Sequence, residues 1–275
     1  MKVALHQART GIDPARNAAR LIEVCKEASS GGAEVLFTPE MSGVLDRDGS
    51  RSARAIAAED ADLVLASARE AARQYRLWVQ LGSLAVRLPG GKFGNRAFVV
   101  DPEGVVRALY DKLHLFDVDL PTGESWREST RYMAGEAPVV VDTPLGRLGL
   151  SVCYDVRFPA LYASLAAAGA TVLSVPAAFT VPSGQAHWHV LLRARAIETG
   201  SFVVAAAQRG THEDGRRTFG HSLVVDPWGR VLLDMGEQED AVGFADIDDA
   251  LVAEARAAIP ALRHRRSIGP ARVAS

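Results

Sequence analysis

Cysteine is scarce in this sequence, since only Cys25 and Cys153 occur among its 275 residues. Two cysteines do not indicate a disulfide framework, so a reducing, cytoplasmic setting is expected. Long apolar runs are also lacking: no segment approaches the length that spans a bilayer, and the N-terminus is too short in apolar residues for a signal peptide. We therefore expect no association with a membrane.

An excess of charge of either sign is lacking as well. Lys and Arg number 31 against 33 Asp and Glu, for a net charge of −2. The basic residues are spread along the chain, which argues against a nucleic-acid-binding surface. The one basic cluster, Arg263-His264-Arg265-Arg266, is too small for that role, and we expect the tail over 260–275 to pack on a neighbouring subunit. Ordinary hydrophobic content, 48%, and this length favour one globular domain over 1–275.

Strand-like and helix-like patterns alternate along the chain and predict a mixed α/β domain. Asp13-Pro14 predicts the start of a helix, and helices are also expected over 57–75 and 186–199. The polar segment 41–54 is expected to be a loop. Three turns with Pro second and Gly fourth predict hairpins, and they begin at Asp101, Thr143 and Asp226. Nearly continuous apolar strands in the second half imply a layered arrangement, with sheets packed inside and helices outside.

The stretch from Gly146 to Pro159 has a cysteine at the junction of two elements. An apolar, strand-like segment leads to Cys153, and a helix is expected to start at Pro159. A residue at such a corner lies beside a helix N-terminus, where free N–H groups favour a thiolate and a developing oxyanion. Local sequence alone leaves a second interpretation open, because free cysteine is also a common buried core residue.

Three other residues would complete a catalytic centre around a Cys153 nucleophile. Glu40 follows one strand, Lys112 follows another, and Glu128 lies in the long polar connection after Lys112. A thiol with a pKa of about 8.5 needs a base or a cation to react at neutral pH. Glu40 could accept its proton, and Lys112 could stabilise an oxyanion together with the backbone N–H of Tyr154. Taken one at a time, each of these charged residues is also typical of a strand end that is exposed to solvent.

Several stretches around these residues resemble the nitrilase, or carbon–nitrogen hydrolase, superfamily. The four that surround the candidate residues are Phe37-Thr38-Pro39-Glu40, 110–116, Arg127-Glu128-Ser129 and 149–158. Others are similar to the Nit amidase branch of that superfamily: Asp117-Val118-Asp119, Ala186-His187-Trp188, 193–198 and 220–229. The resemblance runs through nearly the whole chain in order, and it favours a catalytic Cys153 over a structural one.

The resemblance implies a single α/β domain built as a four-layer α-β-β-α sandwich, in homodimers or larger homo-oligomers. It also implies hydrolysis of non-peptide C–N bonds without a metal or cofactor. Carried onto this sequence, Cys153 is the nucleophile and Glu40 the general base. Lys112 is the cation that stabilises the oxyanion, and Glu128 is the second glutamate, which positions the substrate amide.

The implied substrate is a small amide that bears a carboxylate, hydrolysed to an acid and ammonia through a thioester. Arg157 matches the arginine that holds the substrate carboxylate in the Nit branch, and Phe179 matches its pocket aromatic. Deaminated glutathione is the first expectation, and ω-amidase activity on 2-oxoglutaramate or 2-oxosuccinamate is the close alternative. An N-carbamoyl amino acid hydrolase and a catalytically inactive assembly partner are further alternatives.

One position departs from the Nit branch: His189 stands where these enzymes usually carry Glu. If this side chain shapes the pocket, the substrate preference would change. Together His187 and His189 do not indicate a metal site. Residues two apart on a helix do not face each other, and no Cys or carboxylate cluster accompanies them in the sequence. We expect neither a metal nor a cofactor.

Overall fold

Two β-sheets stack face to face, and each carries helices on its outer side. The computed structural model, which describes residues 1–119, 123 and 125–274, thereby confirms the expected four-layer α-β-β-α sandwich. Parts of the long polar connection and of the tail, residues 120–122, 124 and 275, lie outside the described residues. Among the described helices, none is long and apolar enough to cross a membrane.

Helices and strands alternate along the chain as the sequence patterns predict. The helices are α1 Pro14–Ser30, α2 Gly49–Ala55, α3 Leu63–Tyr75, α4 Pro159–Ala167, α5 Val181–Thr199 and α6 Ala250–Ala258. The strands of the first half are β1 Lys2–Gln7, β2 Val35–Phe37, β3 Trp78–Arg87, β4 Phe93–Val100, β5 Val106–Asp111, β6 Asp117–Asp119, β7 Ser125–Arg127 and β8 Tyr132–Met133. Those of the second half are β9 Val140–Thr143, β10 Gly146–Leu150, β11 Val172–Ser174, β12 Phe202–Ala205, β13 Arg209–Thr211, β14 Arg217–Phe219, β15 Leu223–Val225, β16 Val231–Asp234 and β17 Ala241–Asp246.

Both sheets have parallel strands in the centre and antiparallel strands at the sides. The first has the order β17-β1-β2-β3-β4-β5, with β8 beside β4, and β1, β2 and β3 are parallel. The second has the order β16-β15-β12-β11-β10-β9, and β10, β11 and β12 are parallel. Parallel strands need cover on both faces, which the opposite sheet and the helices supply. Hairpins β6–β7 and β13–β14 stand apart from the two sheets.

The alternation of side chains in β1 shows how the layers meet. Ala4 packs in a buried cluster with apolar residues of α1 and α3, on the outer side of the first sheet. Val3 and Leu5 point the other way and join a larger cluster with strands of the second sheet, α4 and α5. Because successive strand residues face opposite sides, one apolar strand can supply two layers of the core.

Local turn and cap signals are confirmed where the sequence contains them. Asp13 caps α1, and its carboxylate accepts a hydrogen bond from the N–H of Ala15 at 2.9 Å. The three Pro/Gly turns join β4 to β5, β9 to β10, and β15 to β16 as antiparallel pairs. Their last residues have the positive φ that favours glycine: 74° at Gly104, 100° at Gly146 and 85° at Gly229.

Three boundaries differ from the prediction. The expected loop over 41–54 contains the start of α2, which the carboxylate of Asp48 caps and which buries only one side chain, so it lacks an apolar period. The helix expected from residue 57 begins at α3, because Asp62 caps it there after a short 3₁₀ turn. The helix expected from residue 186 begins with α5 at Val181, with a proline in its first turn.

Candidate active site

Cys153 lies where β10 gives way to a short 3₁₀ helix, Cys153–Arg157, as the corner in the sequence predicts. Its φ is +48°, a conformation that residues other than glycine seldom adopt and that persists where surrounding contacts impose it. One such contact is the hydrogen bond from its N–H to the carbonyl of Pro176, at 2.8 Å. The next residue, Tyr154, is in the first turn, where backbone N–H groups have no acceptor within the helix.

The buried carboxylate of Asp155 ties this corner to the loop that carries Lys112. Asp155 Oδ2 accepts hydrogen bonds from the N–H of Val152 at 2.9 Å and from the hydroxyl of Tyr110 at 2.7 Å. Its Oδ1 accepts one from the N–H of His114 at 3.0 Å. The two loops on which Cys153 and Lys112 lie are therefore fixed to each other.

Glu40, Lys112 and Glu128 meet beside the cysteine, although they are far apart in sequence. Lys112 Nζ lies 2.9 Å from Glu40 Oε1 and 2.9 Å from Glu128 Oε2. The ammonium group is buried, with its side chain 2% exposed. Glu40 and Cys153 line the same pocket, and each shifts the pKa of the other. The structure thus brings together all four residues that the sequence analysis named as a catalytic centre.

Backbone groups and an amide side chain complete this network. Asn95, on β4, is fully buried, and its Nδ2 donates to Glu40 Oε1 at 3.0 Å and to Glu128 Oε1 at 3.0 Å. Glu40 Oε2 accepts a third hydrogen bond, from the N–H of Ala178 at 3.0 Å. Sequence reasoning missed Asn95, because nothing in a strand pattern shows which distant loop a polar residue faces.

The pKa directions follow from burial and from the close opposite charges. Burial alone would raise the pKa of Glu40, but Lys112 and the hydrogen bonds from Cys153, Lys112 and Asn95 hold it below its ordinary value. Burial alone would lower the pKa of Lys112, but Glu128 and Glu40 raise it well above that of a free lysine. Burial and the charge of Glu40 raise the pKa of the Cys153 thiol. At neutral pH the site therefore contains a thiol, a carboxylate base and an ammonium group.

Close backbone contact at Gly82, on β3, helps to set where Glu40 lies. A Cβ atom at this glycine would be 2.0 Å from the carbonyl oxygen of Thr38 and 2.6 Å from Cβ of Pro176. The N–H of Gly82 also donates to Thr38 Oγ1 at 2.9 Å. The turn that carries Glu40 and the loop whose Pro176 carbonyl accepts a hydrogen bond from the Cys153 N–H therefore both contact Gly82.

A pocket of about 360 Å³ opens onto Glu40, Lys112, Glu128 and Cys153. Tyr154, Arg157 and Phe179 line it, as the sequence analysis expected of substrate-binding residues. The Arg157 guanidinium lies over the rings of Phe179 and Tyr154, at 5.3 and 6.0 Å. Arg157 Nη1 lies 3.2 Å from Nδ1 of His187, and among the described residues no carboxylate pairs with the guanidinium, so its charge can serve a ligand.

His189 does not line this pocket. Its Nε2 bonds Asp234 Oδ2 at 3.0 Å, and His221 Nδ1 bonds Asp234 Oδ1 at 2.9 Å. A histidine and a carboxylate therefore do accompany His189, which the sequence argument against a metal did not foresee. The candidate ligand atoms of the three residues lie within 4.8 Å of one another, so this cluster is the described group that could hold a divalent ion. It takes no part in the geometry around Cys153.

Comparisons with known proteins agree with this geometry. A deaminated glutathione amidase of Yersinia enterocolitica is 40% identical over 97% of this chain and 93% of its own length. The crystal structure of Caenorhabditis elegans NitFhit superposes with a TM-score of 0.89 at 39% identity, over 96% of this chain and 65% of that protein. An amidase of Nesterenkonia sp. AN1, solved with the acetamide moiety of fluoroacetamide on its active-site cysteine, superposes with a TM-score of 0.80 at 29% identity, over 97% and 94% of the two chains.

The family assignment rests on nearly the whole chain. The sequence profile of the carbon–nitrogen hydrolase family matches residues 2–257, which includes both sheets and every residue of the candidate site. Together with the amidases it resembles, this match makes the protein an enzyme that hydrolyses C–N bonds of amides. The chain belongs to the carbon–nitrogen hydrolase family.

Proposed function

We propose that Cys153 attacks the carbonyl carbon of an amide substrate while Glu40 accepts the thiol proton. The observation that carries this proposal is the buried ion pair of Glu40 with the Lys112 ammonium group, in the wall of the pocket that Cys153 also lines. The thiol is protonated at rest, so it reacts only where a base takes its proton as the C–S bond forms. Glu40 stays ionised at neutral pH and supplies that base.

The same groups account for the rest of the reaction. Lys112 and the Tyr154 N–H stabilise the oxyanion of the tetrahedral intermediate, and Glu128 holds Lys112 and orients the amide. When the C–N bond breaks, protonated Glu40 gives its proton to the leaving amine, and the acyl group remains as a thioester. Glu40 then takes a proton from water as the water attacks. The C–S bond breaks, and the acid leaves with the thiol restored.

The substrate we propose is deaminated glutathione. Relatives that share about two residues in five with this chain over most of its length carry that activity in their names. Arg157 supports a carboxylate-bearing amide, because its guanidinium can bind a carboxylate with two parallel hydrogen bonds. In this substrate the cleaved bond joins a 2-oxo acid to cysteinylglycine, so the leaving group is an amine. Ammonia is the product only for a primary amide such as 2-oxoglutaramate.

Three substrates assayed side by side test this proposal. We expect the purified enzyme to release cysteinylglycine from deaminated glutathione with a higher kcat/KM than it releases ammonia from 2-oxoglutaramate or from an N-carbamoyl amino acid. Cys153→Ala is the control that must abolish release. A higher kcat/KM for 2-oxoglutaramate would make the enzyme an ω-amidase, and a preference for the ureide would make it a carbamoyl hydrolase. Turnover of none of them would favour a non-catalytic assembly partner.

We also infer that the chain forms a homodimer or larger homo-oligomer through an apolar face. Val190 and Ile197 lie two turns apart on α5 and are 68% and 53% exposed. Trp228, 54% exposed, is in the turn that α5 contacts, since Arg193 Nε donates to the carbonyl of Gly229 at 2.8 Å. Exposed apolar side chains grouped in this way are typical of subunit contacts. Val190→Glu is expected to shift the mass measured by light scattering towards the monomer.

We infer one hydrolase domain over 1–275, with the tail from residue 260 packed on a neighbouring subunit. Ile268 and Val273 support this role for the tail, because they are 93% and 97% exposed in the single chain. Both cysteines are free thiols, which supports a reducing compartment such as the cytoplasm.

A further inference from the structure

Arg216 lies in the pocket wall, and within the described residues no carboxylate forms a hydrogen bond with its guanidinium group. Its side chain is 17% exposed, and its buried Nε has no hydrogen-bond partner within the described residues. The one carboxylate within 4.0 Å belongs to Asp214, whose Oδ2 lies 3.7 Å from that Nε. Asp214 already accepts hydrogen bonds from the backbone N–H groups of Arg47 and Arg216, both at 2.8 Å. Asp214 therefore holds the loop without forming a hydrogen bond to the buried Nε of Arg216.

Two other arginines of the pocket differ from Arg216 in this respect. Arg127 forms hydrogen bonds with both carboxylate oxygens of Asp119, at 2.9 and 2.8 Å. Arg131 donates to the carbonyl of Gly49 and to the hydroxyl of Ser52, both at 3.0 Å. Charged groups removed from water are normally paired, so a half-buried arginine whose buried Nε has no hydrogen-bonded partner indicates a ligand.

Trp126 adds a second donor at the same wall. Its indole Nε1 is buried and has no partner within the described part of the chain. The Arg216 guanidinium lies over the indole ring, 4.6 Å from its centroid, and the exposed Arg47 guanidinium lies 5.2 Å from it. The ring therefore holds the Arg216 fork in a fixed plane, which suits a carboxylate bound through two hydrogen bonds.

A row of aromatic contacts connects this wall to Arg157. Trp126 packs against Phe116 with ring centroids 6.3 Å apart, and Phe116 packs edge-on against Tyr154 at 5.1 Å. Arg157 lies over Tyr154, at the other end of the row. Tyr154 directly follows the nucleophile in the chain, so the pocket has one arginine at each end of the row and the reacting thiol beside it.

We propose that Arg216, held by Trp126, is a second carboxylate subsite, which binds a carboxylate on the amine side of the scissile bond. This inference rests on the proposed function, in which Arg157 receives the carboxylate of the acyl side. The substrate class is then an N-substituted amide with a carboxylate at both ends. Deaminated glutathione belongs to that class through its glycine carboxylate, whereas 2-oxoglutaramate has no carboxylate on the amine side.

The test compares deaminated glutathione with the analogue in which the glycine carboxylate is an amide. We expect Arg216→Gln to lower kcat/KM for the acid by about 10- to 100-fold, mainly through KM, the loss typical of a charge-assisted hydrogen-bond pair. It should change kcat/KM for the glycinamide analogue and for 2-oxoglutaramate by less than about threefold. Arg217→Gln removes the same charge from the next residue, which is exposed and outside the pocket, and should change none of the three.

An equal loss on all three substrates would mean that Arg216 only supports the fold, and no loss on the acid would mean that it binds nothing there. Either result overturns the subsite. Binding measured by calorimetry with Cys153→Ala separates this question from turnover. That variant should bind the acid about 10-fold or more tightly than the glycinamide, and the double variant with Arg216→Gln should bind them equally. If the Cys153→Ala variant binds the acid no more tightly than the glycinamide, the subsite is overturned even if the parent enzyme hydrolyses the substrate. If it binds the acid more tightly, the subsite is supported even if the parent enzyme does not hydrolyse it.

Discussion

Cys25 and Cys153 are both buried, but they lie in regions of opposite chemical character. Cys25 is on α1 in an apolar cluster between α1, α3 and the first sheet, and burial raises its pKa to about 12. Cys153 is also buried and its pKa is also raised, but it faces a carboxylate and an ammonium group. Burial by itself therefore does not distinguish an inert thiol from a reactive one. The difference lies in whether a proton acceptor and a counter-charge are in contact with the sulfur.

The two regions also differ in how much of the chain builds them. The surroundings of Cys25 come from helices and strands with ordinary apolar periodicity. Cys153 depends on loops after β2, β5, β10 and β11, which the two sheets bring to one place. A local pattern can specify the first kind of site, whereas only the fold can specify the second.

Removing each sulfur in turn is the strongest test of the difference between the two cysteines. Cys153→Ala should reduce kcat by at least about 10⁴-fold, because no covalent intermediate can form. Cys25→Ala should leave kcat within about twofold, since its sulfur contacts only core residues. The rates of amine release of the two variants, each normalised to folded protein, provide the measurement. Comparable losses in both variants would contradict the distinction.

Glu40→Gln should have the next largest effect. The amide keeps the shape of the side chain and cannot accept the thiol proton, so we expect kcat to fall by about 10²- to 10⁴-fold. Circular dichroism spectra that match the parent enzyme would exclude unfolding as the cause. A variant that retains more than a tenth of the parent activity would show that another group takes the proton.

Asn95→Ala should lower activity less and change its pH dependence. The hydrogen bond from Asn95 stabilises ionised Glu40 and keeps its pKa low, so its loss raises that pKa. The acidic limb of the kcat/KM profile should therefore move to higher pH, with a loss of roughly 10-fold at neutral pH. Kinetic profiles between pH 4 and 9 (about the range of protein stability) measure it. A lower rate with an unmoved acidic limb would refute a role through Glu40.

The smallest expected effect is on stability, at the apolar cluster that contains Cys25. Cys25→Ala removes a fully buried atom from a packed cluster, and we expect it to lower the free energy of unfolding by about 1 kcal/mol. Urea denaturation followed by fluorescence measures this change. An unchanged free energy of unfolding would mean that the helices repack around the missing sulfur.

Much of the fold could be predicted because its signals are local. Asp13-Pro14 and the three Pro/Gly turns specify their conformations within four residues, and the structure confirms each of them. The sequence analysis missed α2 altogether, because its single buried side chain gives no apolar period. The start of α5 had a usable signal in Thr180-Val181-Pro182, since a threonine cap before an early proline favours a helix start.

The candidate site also has parts that could be predicted from the sequence and parts that could not. Resemblance to a family supplied Glu40, Lys112, Glu128 and Cys153, and the structure brings these residues together. The residues that hold these four in place could not be predicted from the sequence, because Asn95 donates to Glu40 from 55 positions further along the chain. Arg216 could be singled out only from the structure, because the sequence does not show which groups surround an arginine at the end of a hairpin loop.

Position 82 has a consequence for how this enzyme tolerates mutation. Gly82 has no reactive group, yet a single methyl there would collide with the backbone beside Glu40 and with the loop opposite. In a library that samples every substitution, Gly82 should be as intolerant as Cys153. Selection for activity would then mark as essential a residue with no chemistry of its own, because the spacing of the catalytic groups depends on how closely two loops can approach it.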